Sequence, residues 1–280
     1  MGSKLKNTIE LIGIYFVFAV MFVIILYPLA WAFGMSLNEG SSLYSSTIIP
    51  ENWSLNHYQW LFTGSNSNYL TWYKNSMIVS GSNAILSVII TSLVAYAFSR
   101  YRFVGRKFGL YTFLILQMFP TMMAMVALYI LLNLIGLLDS LAGLILIYVG
   151  GQIPFNAWLV KGYLDTIPFE LDESARIDGA GHLTVFFKII VPLAKPILAV
   201  VALFNFMTPL FDFLLPSIVL RSQKNYTIAL GLYQFINDQF SNNFVRFSAG
   251  AMLIAIPVSI IYLFLQKYLI SGLTAGGTKG

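Results

Sequence analysis

The segment from Lys161 to Lys195 holds the densest chemistry in the chain, reading KGYLDTIPFELDESARIDGAGHLTVFFKIIVPLAK. Thr166 is placed to cap a helix whose first turn contains Pro168, a favourable early position. Glu170, Asp172 and Glu173 then fall near the positive end of that helix's dipole. Asp172 and Glu173 each come within reach of Arg176, at four and three residues' distance. Gly179 supplies a left-handed stop. A second amphipathic stretch runs from Thr184 to Val191 and ends at Pro192. The spacing predicts helix, sharp turn, helix. Charge on such an elbow is recognition chemistry. Glu170, Asp172, Glu173, Arg176 and Asp178 fix a register, while Ser174, Ala175 and Ala180 let another surface approach closely.

A catalytic reading finds no foothold. The chain has no cysteine, which excludes disulfides, thiolate nucleophiles and cysteine metal sites. Its two histidines, His57 and His182, are far apart in sequence. There is no H-E-x-x-H, no G-x-S-x-G and no phosphate-cradling G-x-x-x-x-G-K-[ST]. We expect no catalytic residue, no metal site and no cofactor on this chain.

The elements that must position the elbow are set by composition. Hydrophobic residues make up 58% and charged residues 10%, against norms of roughly a half and a quarter. A soluble protein could not cover its surface with so few charges, so lipid must be the main solvent. Six uncharged or nearly uncharged windows predict spans at about 11–35, 75–99, 108–134, 140–160, 196–220 and 247–266. The expected fold is an all-α membrane protein, a single transmembrane domain over 1–280 with the elbow at about 165–192. The window Asn52 to Tyr73 carries too many polar side chains and reads as an exposed loop. The first window exceeds a signal-peptide core in length, which favours an uncleaved anchor.

Asp212 is the one ionisable residue inside a predicted span. It either lines a translocation path or plays a buried, hydrogen-bonded structural role. Pro28, Pro120, Pro154, Pro209, Pro216 and Pro257 are either packed kinks or hinges in a moving bundle. Lys and Arg fix orientation. With the N-terminus cytoplasmic, the inner segments hold twelve of the 16 basic residues and the outer loops hold Lys74, Arg221, Lys224 and Arg246. Both termini should then face the cytoplasm. A headgroup-bound helix would need a basic face, whereas Asp165, Glu170, Asp172, Glu173 and Asp178 stand against Arg176 alone. The net charge of +5 is too dispersed for nucleic acid.

The spacing Glu173-Ser174-Ala175, three residues, Gly179, nine residues, Ile189-Ile190-Val191-Pro192 resembles the signature of ATP-binding-cassette importer permeases, E-A-A, three, G, nine, I-x-L-P. Ser174 stands for an Ala and Val191 for the Leu. Pro154-Phe155, Trp158, Gly162-Tyr163 and Ile167-Pro168 resemble the carbohydrate-uptake branch. The tail from Gly272 to Gly280 is similar to that of the second permease subunit of maltose-type importers. The resemblance implies a six-helix permease in a prokaryotic inner or plasma membrane. It implies a second permease subunit, a pair of ATPase subunits holding ATP and Mg, and an extracytoplasmic sugar-binding protein. It implies ATPase docking through Glu170, Asp172, Glu173, Ser174, Ala175, Arg176, Asp178, Gly179 and Ala180. Gly276, Gly277 and Lys279 in the tail would reach the ATPase. Maltose, maltodextrin or a related oligosaccharide would be the cargo.

Trp53, Tyr58, Trp60, Phe62, Tyr69, Trp72 and Tyr73 stand in the first outer loop. They read either as rings that stack on sugar or as an interfacial belt. An ion-coupled secondary transporter is the alternative class. It usually needs several intramembrane carboxylates, and a single Asp argues against it.

Overall fold

The computed structural model describes residues 2–41, 49–237 and 243–277. The regular elements among them are helices, joined by one isolated antiparallel bridge between Asn38 and Trp53. They are α1 (Gly2–Ser36), α2 (Asn56–Thr63), α3 (Tyr69–Arg100), α4 (Arg106–Gln117), α5 (Thr121–Leu134) and α6 (Leu141–Leu164). Then come α7 (Glu170–Ile177), α8 (His182–Val185), a π-helical turn (Phe186–Ile190), α9 (Val191–Leu193) and α10 (Lys195–Phe211). The chain closes with α11 (Leu214–Val219), a 3-10 turn (Gln223–Asn225), α12 (Ile228–Tyr233) and α13 (Phe244–Gly277).

Among the described residues, four helices are long and apolar enough to cross a bilayer alone: Lys6–Ser36, Tyr69–Arg100, Leu141–Leu164 and Phe244–Tyr268. Two bent pairs also qualify, Arg106–Gln117 with Met122–Leu134 and His182–Leu193 with Lys195–Phe211. Counting each pair once gives up to six by length and composition, but the second pair covers 182–211, including the second arm of the elbow, where a span at 196–220 is expected.

Three expectations are corrected. The window at 108–134 is not one straight rod, since its two helices meet at 102°. Pro120 sits at the break, where it lacks a donor and disfavours helix in the residue before it. The window at 196–220 is broken as well: α10 ends at Phe211 and Asp212 is extended, with φ −78° and ψ 123°. The window Asn52 to Tyr73 is only partly loop, because it contains α2 and the start of α3.

Contacts sort the chain into two compact units, Met1–Tyr69 with Leu232–Ala255 and Leu70–Gly231 with Ile256–Gly280. In the first, α1 is apolar and exposed nearly all round, as befits a helix whose solvent is lipid. The His57 ring nitrogen Nε2 lies 3.3 and 3.0 Å from the carbonyl oxygens of Glu39 and Gly40. Buried Tyr69 donates its hydroxyl to the Gly250 carbonyl at 2.9 Å. The Arg246 guanidinium lies 3.9 Å over the Trp60 ring.

Among the described residues, the second unit shows two apolar centres. One gathers Val160 and Leu164 of α6, Val185, Phe186 and Ile190 of the elbow, and Leu198 and Val201 of α10 around Ala95 and Tyr96 of α3. The other gathers Val79, Leu132, Leu144, Tyr148, Leu215, Val219 and Leu230. Trp72 is buried in this unit and donates its indole N–H to the Gln223 carbonyl at 2.9 Å.

Candidate functional site

The elbow grows from the end of α6. There the Thr166 hydroxyl donates back to the Tyr163 carbonyl at 2.7 Å. Thr166 therefore closes α6 and does not cap α7, which begins at Glu170 behind an uncapped Phe169. Glu170, Asp172 and Glu173 occupy the first turn of α7, as the spacing predicts. Gly179 adopts φ +85°. The Ala180 N–H donates to the Ala175 carbonyl at 2.9 Å and the Gly179 N–H to the Arg176 carbonyl at 3.0 Å. This pair of bonds is a Schellman closure, and it needs a left-handed residue at Gly179.

The second arm runs from His182 to Leu193 and meets α10 at 77°. Pro192 lacks an N–H and crowds the carbonyl four residues back, and Phe186–Ile190, ending two residues before it, wind as a π turn. Pro196 then occupies the first turn of α10, where its missing donor is harmless. One side of this arm is seated: Phe186 lies against Tyr96, with ring centroids 5.0 Å apart.

Exposure divides the residues that the resemblance assigns to docking. Glu170, Glu173, Ser174, Arg176, Asp178 and Gly179 are exposed, and Ala175 and Ala180 are half-buried. Arg176 donates to His182 Nδ1 at 3.2 Å, so it ties one arm of the elbow to the other. Asp172 is buried and faces Arg100 of α3, with Oδ2 2.6 Å from Nε. It does not pair with Arg176, contrary to the expectation from spacing. Two apolar side chains complete the outer surface, Ile177 at 86% exposure and Leu183 at 69%. Sequence reasoning passed over both because it followed charge. Gly276 and Gly277 end α13, and Lys279 lies outside the described residues.

A second constellation lies among the helices. Asn83 of α3 donates to Gln152 Oε1 of α6 at 3.1 Å and to the Asn205 carbonyl of α10 at 2.6 Å. Asn156 of α6 donates to Asn205 Oδ1 at 3.1 Å, and Asn205 donates to the Val201 carbonyl at 2.7 Å. Gln117 at the end of α4 donates to the Gly151 carbonyl at 3.1 Å. Gln117, Gln152, Asn156 and Asn205 border a cleft of about 570 Å³, together with Phe155, Phe204 and Thr208, and Asn83 bonds to two of them from α3. A search for charges cannot find them. An amide inside an apolar window is the signal, since it must face a partner or a cavity.

Asp212 stands elsewhere. Its Oδ2 accepts the Tyr148 hydroxyl at 2.8 Å, and its Oδ1 accepts the N–H groups of Leu214 and Leu215 at 2.9 and 3.3 Å. It caps α11 and ties that helix to α6. Asp139, at φ 55°, forms a similar knot between the α5–α6 turn and the segment after α11. Its carboxylate accepts the Arg221 and Ser222 N–H groups at 2.9 and 3.0 Å and the Ser222 hydroxyl. Burial acts to raise its pKa, but these bonds and the Asn225 amide outweigh it, and the pKa is lowered to about 2.

A bundle of lipid-facing helices with a cleft of amides and a protruding elbow defines a membrane permease. Residues 87–274 match the family described as binding-protein-dependent transport system inner membrane component. The chain belongs to that family. It is 49% identical to the galactooligosaccharides transport system permease protein GanQ of Bacillus subtilis, over 99% of this chain and 98% of that one. It is 45% identical to the maltodextrin transport system permease protein MdxG of the same organism, over the full length of both. A crystal structure of a bacterial ABC transporter involved in the import of the acidic polysaccharide alginate shares the fold, with a TM-score of 0.78 at 24% identity. That match covers 94% of this chain and 97% of the other.

Proposed function

We propose that this chain is a pore-forming permease subunit of an ATP-driven importer of maltodextrin or a related oligosaccharide. The reading is carried by the elbow. Its outer surface presents Glu173, Ser174, Ile177 and Leu183 to a partner, while its inner side is seated on α3 and α6. A free surface on a fixed arm is what transmitting force from a second chain requires. ATP and Mg sit on an ATPase pair that receives this surface together with the tail at Gly276, Gly277 and Lys279. A second permease subunit completes the pore, and an extracytoplasmic binding protein delivers the sugar. Both termini lie in the cytoplasm, a reading supported by the basic residues, twelve on the inner segments against four on the outer loops.

The amide cleft is the sugar's way through. Asn and Gln side chains offer donors and acceptors to hydroxyls, and Phe155 and Phe204 offer flat apolar faces. Asp212 supports the wall of the bundle. The oligosaccharide class rests on the names of the two Bacillus subtilis relatives, both of which are oligosaccharide permeases.

The test is uptake by the reconstituted four-component assembly in proteoliposomes. Import should require ATP and survive collapse of the membrane potential. Import that follows the potential and ignores ATP would assign the chain to ion-coupled transport instead. Glu173→Lys should abolish import while the membrane bundle stays folded. Normal import by that variant removes Glu173 from the docking contact.

A further inference from the structure

Arg100 is the last residue of α3, and its side chain is 1% exposed. Its guanidinium does four things at once. Nε lies 2.6 Å from Asp172 Oδ2, a charge contact whose alignment falls short of a hydrogen bond. Nη1 donates to the Leu164 carbonyl at 3.2 Å, and Nη2 donates to the Ile167 carbonyl at 3.0 Å. The plane sits 4.3 Å from the centre of the Phe169 ring. One side chain thus holds the end of α6, the strand of chain leading to the elbow, and the first turn of α7. Beside it, Ser99 donates to Asp165 Oδ1 at 2.8 Å, and Arg106 donates to the Phe98 and Ser99 carbonyls at 2.6 and 3.0 Å. The end of α3 and the root of the elbow form one polar knot.

We propose that Arg100, through Asp172, is a positioning residue that makes α3 move with the elbow, so that force on α7 reaches the span carrying Asn83. The proposal rests on the importer reading. A planar fork locked on two carbonyls and a carboxylate resists both translation and rotation, which a single hydrogen bond would not. Packing holds α7 and the turn after it to the apolar centre around Tyr96 through the small side chains Ala175 and Ala180, a weaker grip than the guanidinium gives. The exposed acids of α7 take the push, and the buried acid passes it on.

The experiment compares the reconstituted assembly carrying wild type, Arg100→Gln, Asp172→Asn and the double variant, reading sugar uptake and ATP hydrolysis on the same vesicles. The single variants strand a buried charge, so their yield of assembly should fall. The double variant strands none and should assemble like wild type. Its sugar transported per ATP should nevertheless drop about tenfold, within the usual range of a coupling energy. A purely structural pair predicts the opposite: restored assembly with a wild-type ratio, which overturns the proposal. Should the double variant not assemble, Arg100→Lys carries the test. It keeps the charge facing Asp172 but loses the fork on Leu164 and Ile167, and a lowered ratio is expected; a wild-type ratio there also overturns the link. The wild-type control is separate: no ATP-driven uptake by wild type refutes the importer reading itself.

Discussion

Asp172 and Glu173 are neighbouring acids in one helical turn with opposite surroundings. Removing the carboxylate charge of Asp172 leaves the Arg100 guanidinium buried and unpaired, which costs about 3–5 kcal/mol. Removing that of exposed Glu173 costs about 0.5 kcal/mol or less. Thermal unfolding in detergent should therefore separate Asp172→Asn from Glu173→Gln by many degrees. Equal midpoints would mean that the Arg100 contact contributes nothing to the fold. Spacing could not distinguish these two acids, since each is within helical reach of Arg176 and the true partner of Asp172 lies on α3. The amides taught the same lesson. Asn156→Leu removes one interhelical bond, worth on average about 0.6 kcal/mol in a membrane. Stability should barely change, while import should fall if the cleft carries sugar; unchanged import would place the path elsewhere. Asp139 adds a pH dependence. Its carboxylate is depressed to about 2 when folded, so it stabilises the native state above the unfolded pKa near 3.9, and that contribution is lost as pH falls toward 2. Asp139→Asn should flatten the acid limb of a pH–stability curve, and an unchanged limb would deny the knot this role.

Helix by helix, the sequence was most legible where one residue type admits one backbone. Gly179 reads as a left-handed stop, and it is one. Gly179→Ala should cost about 1–2 kcal/mol through the left-handed backbone alone. Because a Cβ there meets no atom within 4 Å, the loss should come from backbone strain, and ATP-driven import should fall with the changed angle of the elbow. Wild-type stability and import in that variant would show that the turn tolerates another geometry. Caps were less legible. Thr166 sits between two helices and could serve either, and the nearer carbonyl of α6 took its hydroxyl. Breaks were the least legible. An uncharged window reports only that lipid is tolerated, not that the chain runs straight, so Pro120 and the extended Asp212 divided two windows that hydropathy left whole.

For the molecule as a whole, the hydropathy windows and the Lys and Arg asymmetry predict a definite sidedness. The native sequence lacks cysteine, so any single introduced thiol is a unique reporter within this chain. A cysteine at Gly181 should react with an impermeant reagent from the cytoplasmic side only. A cysteine at Lys224 should react from the opposite side only. The reverse pattern would invert the topology and detach the elbow from any cytoplasmic engine. The first unit's helix α1, uncharged and exposed from Leu11 to Ala30, adds the complementary expectation that this stretch is reached by lipid-soluble and not by aqueous probes.

The double closure at Gly179 has one consequence for how the importer is put together. The hook is already set before anything grips it, because its angle is fixed by bonds internal to the permease. On the proposed importer reading, docking of a nucleotide-binding partner would then carry no folding step at this point. A free peptide spanning 165–192 would have to fold on arrival, and coupled folding typically subtracts about 2–5 kcal/mol from the interaction. It should therefore compete with the intact permease only at concentrations higher by a factor of about 30 or more.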